Sequence, residues 1–164
     1  MELPDLFRII RMRGIYMQEA YPEGGAMTAV LGLDGDAVAA ICERTAKETG
    51  KVVSVANYNC PGQIVITGEA DAVEAASEAL KEAGAKRCVP LKVSGPFHSA
   101  LLKNAGEQLA EELKSVKLST PWIPYVSNVT ADYVTDASQV AELLKQQVSS
   151  PCLLYTSDAA DDSL

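Results

Sequence analysis

With 164 residues, 48% of them hydrophobic, the chain is long enough to enclose a real core, and a formal net charge of -8 leaves no basic stripe for general nucleic-acid binding. One histidine and four widely spaced cysteines (Cys42, Cys60, Cys88, Cys152), with no Cys-x-x-Cys pair, exclude the usual zinc and disulfide frameworks and fit reduced thiols in a cytoplasmic protein. The start carries Glu2 and Asp5 rather than a basic leader, and no run approaches the ~20 apolar residues of a bilayer span, so neither secretion nor membrane insertion is expected.

In chain order, Leu6, Ile9, Ile10 and Met17 recur at helical spacing and predict a helix over residues 5–19. Pro22, Glu23, Gly24 and Gly25 break it. An apolar run over 26–33 then reads as a strand, and 36–49 as a helix with Asp36 as an acidic cap candidate and Gly50 as its stop. Residues 52–57 and 63–67 are β-rich runs separated by 58–62, whose Pro61 and Gly62 suit a hairpin, so the two strands are expected to pair antiparallel. Alanines with Val73 and Leu80 predict a helix over 71–83, and 88–93 a strand. The order from 26 to 93 is therefore βαββαβ, the ferredoxin-like arrangement of two helices on one face of a four-stranded antiparallel sheet.

Ser94, Gly95 and Pro96 break the chain again, and Phe97, His98 and Ser99 lead out of the break. Leu101, Leu102, Ala105, Leu109 and Leu113 predict one long amphipathic helix over 99–116. Residues 121–126 form a strand-like run interrupted by prolines and followed by Ser127 and Asn128, and 136–148 is a final helix on Val140, Leu143 and Leu144. From 153 to 164 no apolar period remains, and disorder is expected.

His98 is the chemical candidate. An imidazole exchanges protons near neutral pH, and this one follows a Gly-Pro break at the mouth of a helix, although a lone histidine also fits a structural or exposed role. Arg13, on the first helix beside the side-chain-free Gly14, could hold a carboxylate through two parallel hydrogen bonds; solvated charges at Arg8, Arg11 and Arg13 are the plain alternative. Asn57, Asn59 and Gln63 surround the Pro61-Gly62 turn and Asn128 ends a strand, where amides commonly bond their own backbone. No Gly-x-Ser-x-Gly elbow and no glycine-rich phosphate loop occurs in the chain.

Arg13-Gly14-Ile15-Tyr16-Met17-Gln18, Gly25-Ala26-Met27 with Leu31-Gly32-Leu33, and Asn57-Tyr58-Asn59-Cys60-Pro61-Gly62-Gln63-Ile64-Val65-Ile66-Thr67-Gly68 follow one another in this order. Gly84-Ala85-Lys86-Arg87, Pro90-Leu91, Val93-Ser94-Gly95-Pro96-Phe97-His98-Ser99 and Ser127-Asn128-Val129-Thr130 complete the series. The ordered set, from about residue 5 to 151, resembles an interior stretch of the malonyl-CoA:acyl carrier protein transacylases.

The resemblance implies an α/β (α+β) chain: a ferredoxin-like small domain at 24–93, flanked by helices and a strand of a truncated α/β-hydrolase-like acyltransferase domain. Residues 1–23 and 94–151 would belong to that large domain, and 152–164 would be a non-family tail. It further implies transfer of a malonyl group from coenzyme A to the phosphopantetheine thiol of acyl carrier protein through an acyl-serine, as part of fatty-acid synthesis. His98 would be the catalytic base and acid, and Arg13 the partner of the malonyl carboxylate. Phe97 would crowd out α-branched acyl groups, and Asn57, Asn59 and Asn128 would lie near the substrate. No metal and no cofactor beyond the thioester and the carrier's phosphopantetheine is implied, and the complete enzyme would be a monomer. The family's serine elbow and a glutamine-bearing oxyanion loop would precede Met1, and a second glutamine would follow Pro151, so the chain alone would be inactive. A free-standing βαββαβ ligand-binding or regulatory module is the alternative.

Overall fold

The computed structural model describes residues 1–93 and 95–154. The first helix, α1 (Leu3–Ala20), starts at a proline-bearing first turn, where the missing amide proton costs nothing. It buries Ile9 and Met17 on one side only. After the Gly24 turn come β1 (Gly25–Leu31), α2 (Gly35–Thr49), β2 (Val53–Cys60), β3 (Gln63–Glu69), α3 (Ala70–Glu82) and β4 (Arg87–Pro90). The strands form one sheet in the order β2-β3-β1-β4, and every neighbouring pair is antiparallel.

Side chains alternate across this sheet, as a two-residue strand period requires, and its two faces have different fates. Val30, Val53, Val55, Ile64 and Ile66 point to one face, where Val38, Ile41 and Cys42 of α2 and Ala72, Val73, Ala76 and Leu80 of α3 close a core. Met27, Ala56 and Val65 form a smaller cluster on the other face, against which Phe97 packs. Burial in the first core pushes the Cys42 thiol up to about 12, so it stays protonated and inert. All four cysteines are free.

The rest of the chain builds a helical layer. A 3-10 turn at Ala100–Leu102 runs into α4 (Lys103–Leu113), followed by a small hairpin of β5 (Tyr125–Ser127) and β6 (Asp132–Val134) and then α5 (Ala137–Gln147). Leu102, Ala105, Leu109, Leu113 and Val116 bury against Ile9 and Met17 of α1 and against Val148. Arg8 pairs with Glu112, and the Tyr16 hydroxyl donates to the same carboxylate at 2.9 Å, tying α1 to α4. Gly106 lets α4 approach α5: a Cβ there would meet the Lys145 carbonyl at 2.8 Å.

Several sequence expectations change in detail. The cap of α2 is Asp34, whose carboxylate accepts from the Asp36 amide at 2.9 Å, rather than Asp36 itself. The loop expected over 58–62 shrinks to Pro61 and Gly62, because β2 continues to Cys60 through two irregularities in its pairing. Proline fixes one turn residue, and glycine supplies the positive φ of 74° at the other. The single helix expected over 99–116 is broken at both ends into tighter turns, with Lys114, Ser115 and Val116 donating to carbonyls three residues back. The strand expected over 121–126 survives only from Tyr125, since Pro121 and Pro124 have no amide to give, and Trp122 is left 89% exposed. The β6 partner of that strand was not expected.

The tail also differs. Cys152 pairs with the edge of β2, its amide donating to the Ala56 carbonyl at 2.8 Å while its carbonyl accepts from the Tyr58 amide at 2.9 Å. Leu153 donates to the Asn128 carbonyl at 2.7 Å, so the first residue of the stretch expected to be disordered is held in place. The remainder of the expected disordered tail, 155–164, lies outside the described residues. Among the described residues no helix is long and apolar enough to cross a membrane.

Candidate functional site

The helical layer and the second face of the sheet meet along a cleft of about 470 Å³ lined by Arg13, Gly14, Met17, Gln18, Met27, Asn57, Leu91, Val93, Phe97 and His98. Two different folding rules bring its walls together. Arg13 and Met17 lie four apart and so share one side of α1. Met27 and Asn57 come from the sheet face opposite α2 and α3, the face a strand's alternation leaves free for other use.

His98 is placed by a strained turn. Its φ of 59° is in the left-handed region, which costs a non-glycine residue roughly 1–3 kcal/mol and persists only where neighbours enforce it. The neighbours here are Pro96, buried just before it, and Ser99, whose buried hydroxyl donates to the Pro96 carbonyl at 2.7 Å. β1 fits the same turn: a Cβ on Gly25 would overlap the Pro96 ring, so the sheet's first residue must be glycine for the two to touch.

The imidazole orientation follows from its partners. Nδ1 lies 3.0 Å from the Gln147 carbonyl and 3.1 Å from the Ser150 carbonyl. Carbonyls only accept, so Nδ1 carries the proton and Nε2 keeps its lone pair. Among the described residues Nε2 has no recorded partner. Burial pushes the His98 pKa below its ordinary 6.5, the two carbonyls oppose this, and the nearby Arg13 charge adds to the lowering. A neutral ring with a free basic nitrogen at pH 7 is the outcome.

Arg13 is the complementary group. It is more than half buried, which lowers its pKa, and its Nε is buried with no hydrogen-bond partner among the described residues. Guanidinium groups seldom leave a buried donor unmade, because doing so forfeits the group's hydration without return. An anion in the cleft would restore it.

The remaining sequence candidates separate. Phe97 and Asn57 line the cleft with His98 and Arg13. Asn59 sits at the pairing irregularity near the far end of β2 and does not line it. Asn128 is also outside the cleft, and its carboxamide is engaged: Oδ1 accepts from Gln147 Nε2 at 3.0 Å, while Nδ2 donates to Cys152 Sγ at 3.2 Å. Sequence reasoning missed Gln147 and Ser150, because they act through main-chain carbonyls, which side-chain chemistry does not reveal. The only sequence signal is the end of α5, where carbonyls run out of intrahelical donors. Among the described residues no group of three or more histidine, cysteine or acidic side chains could hold a metal.

Known proteins share this fold. The chain is 48% identical over 148 residues to the malonyl CoA-acyl carrier protein transacylase of Bacillus subtilis (strain 168), covering 90% of this chain and 46% of the relative. It is 46% identical over 151 residues to the transacylase of the same name from Escherichia coli (strain K12), covering 92% and 48%. It therefore spans about half the length of the curated relatives it matches. The crystal structure of an acyl carrier protein S-malonyltransferase from Vibrio cholerae superposes with a TM-score of 0.91 at 41% identity, covering 95% of this chain and 51% of that one. A malonyl-transacylase solved in complex with its type II PKS acyl-carrier protein superposes with a TM-score of 0.89 at 40% identity, over 95% and 50%. The acyl transferase domain family matches residues 4–159, beyond the residue 151 at which the resemblance was expected to stop. Across nearly its whole length, the chain belongs to the acyl transferase domain family.

Proposed function

We propose that this chain supplies the proton-transfer and carboxylate-binding half of an enzyme that moves a malonyl group from malonyl-CoA to the phosphopantetheine thiol of acyl carrier protein in fatty-acid synthesis. The observation that carries the reading is the shared cleft: an arginine whose buried Nε has no hydrogen-bond partner among the described residues and a neutral imidazole with its proton on Nδ1 line one space. A malonyl thioester asks for both. Its free carboxylate pairs with Arg13, a contact that only a dicarboxylic acyl group makes. His98 Nε2 takes the proton of a serine hydroxyl as it attacks the thioester carbonyl, then returns it to the departing coenzyme A thiolate. In the second half the carrier's thiol gives its proton to the same nitrogen and attacks the acyl-serine, and the serine oxygen leaves with that proton. Phe97 beside His98 narrows the space around the α-carbon, and Asn57 offers an amide to the bound acyl group.

The serine is not among these 164 residues in any Gly-x-Ser-x-Gly context, so the chain alone is expected to transfer no malonyl. We read residues 24–93 as a ferredoxin-like small domain, since its βαββαβ order and β2-β3-β1-β4 sheet support that description, and 1–23 and 94–151 as parts of a large acyltransferase domain. No cofactor beyond the thioester is needed, and the partners are malonyl-CoA and acyl carrier protein in the cytoplasm.

The test grafts this segment into a complete transacylase. His98→Ala should lower turnover by about 10²- to 10⁴-fold for malonyl and acetyl thioesters alike, the usual contribution of a positioned proton carrier. Arg13→Ala should weaken malonyl-CoA selectively, leaving acetyl-CoA nearly unaffected. Equal loss for both thioesters in the arginine variant would refute the carboxylate clamp.

A further inference from the structure

The His98 ring is only as well oriented as the two carbonyls it donates to, and those carbonyls come from the last residue of α5 and from a residue three beyond it, where a helix end normally frays. One side chain holds this region. Asn128, at the end of β5, accepts from Gln147 Nε2 through Oδ1 and donates to Cys152 Sγ through Nδ2, while its own carbonyl accepts from the Leu153 amide at 2.7 Å. The three bonds fix the chain at Gln147 and again at Cys152 and Leu153, on either side of Ser150. Cys152 is in turn fixed to β2 by two main-chain bonds, at the strand that carries Asn57 into the cleft.

From this geometry we propose that Asn128 is a positioning residue that acts through Gln147 and Cys152, keeping both carbonyl acceptors on His98 Nδ1 and so leaving Nε2 as the basic nitrogen facing the cleft. It touches no substrate. An asparagine suits the task because a single planar amide offers an acceptor and a donor in opposite directions, which neither a carboxylate nor a hydroxyl does with fixed geometry. Without it, Gln147 loses its side-chain anchor and the turn at 148–151 can swing its carbonyls away. The imidazole would then populate both neutral tautomers, and the one with its proton on Nε2 has no base to offer. The inference rests on the proposed role of His98 for its meaning, but not for its test.

His98 is the only histidine in the chain, so its ring nitrogens give unambiguous signals. With ¹⁵N-labelled protein at a pH where the ring is neutral, the unaltered chain should show Nδ1 at a protonated shift and Nε2 at a bare one. Asn128→Ala should move both nitrogens toward a common averaged shift. Gln147→Ala keeps the main-chain carbonyl and removes only the anchored amide, so it should reproduce the change. The double variant should add little to either, because the two side chains act as one link. Asn128→Asp retains an oxygen for Gln147 Nε2 but has no donor for Cys152 Sγ, so it should restore the original pattern only in part. Unchanged nitrogen shifts in a folded Asn128→Ala or Gln147→Ala protein overturn the proposal; should the first fail to fold, the second decides alone. A tautomer shift as expected, together with a His98→Ala graft that keeps full turnover, would leave the positioning standing and sink only the catalytic reading.

Discussion

The sheet region between Gly25 and Pro90 and the helical layer of α1, α4 and α5 are built to different degrees of closure. In the sheet region α2 and α3 cover one face completely, and Val30, Val38, Ile66 and Leu80 have no exposure at all. In the helical layer, α1 buries Ile9 and Met17 but leaves Leu3 63%, Phe7 65% and Ile10 58% exposed. The cleft lies between the two. A closed region gives a rigid wall, whereas the strained, partly open one presents the imidazole and the Arg13 guanidinium, the usual division between scaffold and chemistry.

That contrast can be broken by mutation. The largest effect is expected in the closed core, where Leu80→Ala removes a fully buried side chain and should cost about 2–5 kcal/mol in denaturant unfolding. A cost below about 1 kcal/mol would mean the sheet region is not the rigid half. Next comes Gly25→Ala, which forces a Cβ into Pro96 where the two regions touch. It should cost about 1–3 kcal/mol and also shift the His98 ring signals in NMR; destabilisation with unmoved signals would show that the sheet does not help place the histidine.

A smaller effect concerns pH. The folded-state pKa of His98 is depressed, so the unfolded chain takes up the proton first. Its contribution to stability is therefore present above the unfolded value near 6.5 and is lost as pH falls from there toward the lower folded pKa. Between about pH 8 and about pH 5 the unaltered chain should lose more stability than the His98→Gln variant, measured by thermal or urea unfolding. Equal losses would mean that the ring is not desolvated. The smallest change is expected at the open face. Phe7→Ser should alter the stability of the isolated chain by no more than about 0.5 kcal/mol, independent of protein concentration, since the ring is largely in water. A larger, concentration-dependent change would show that the face is already covered by association.

The sequence by itself determined the order of the elements apart from β6, and it pointed to Arg13, Asn57, Phe97 and His98, which line one cleft. Periodicity is a local property, so the alternation of β1 to β3 and the helical spacing of α2 and α3 were readable without any knowledge of the fold. His98 and Arg13 were legible because their side chains carry distinctive chemistry. Tertiary structure decided what depends on distant partners: that 85 residues apart in sequence these two groups would share one cleft, that Asn59 would lie outside it, and that Cys152 would join the edge of β2. It also decided the orientation of the imidazole. Main-chain carbonyls are common to every residue, and only the folding of α5 against the Pro96 turn selects those of Gln147 and Ser150 to hold a proton on Nδ1.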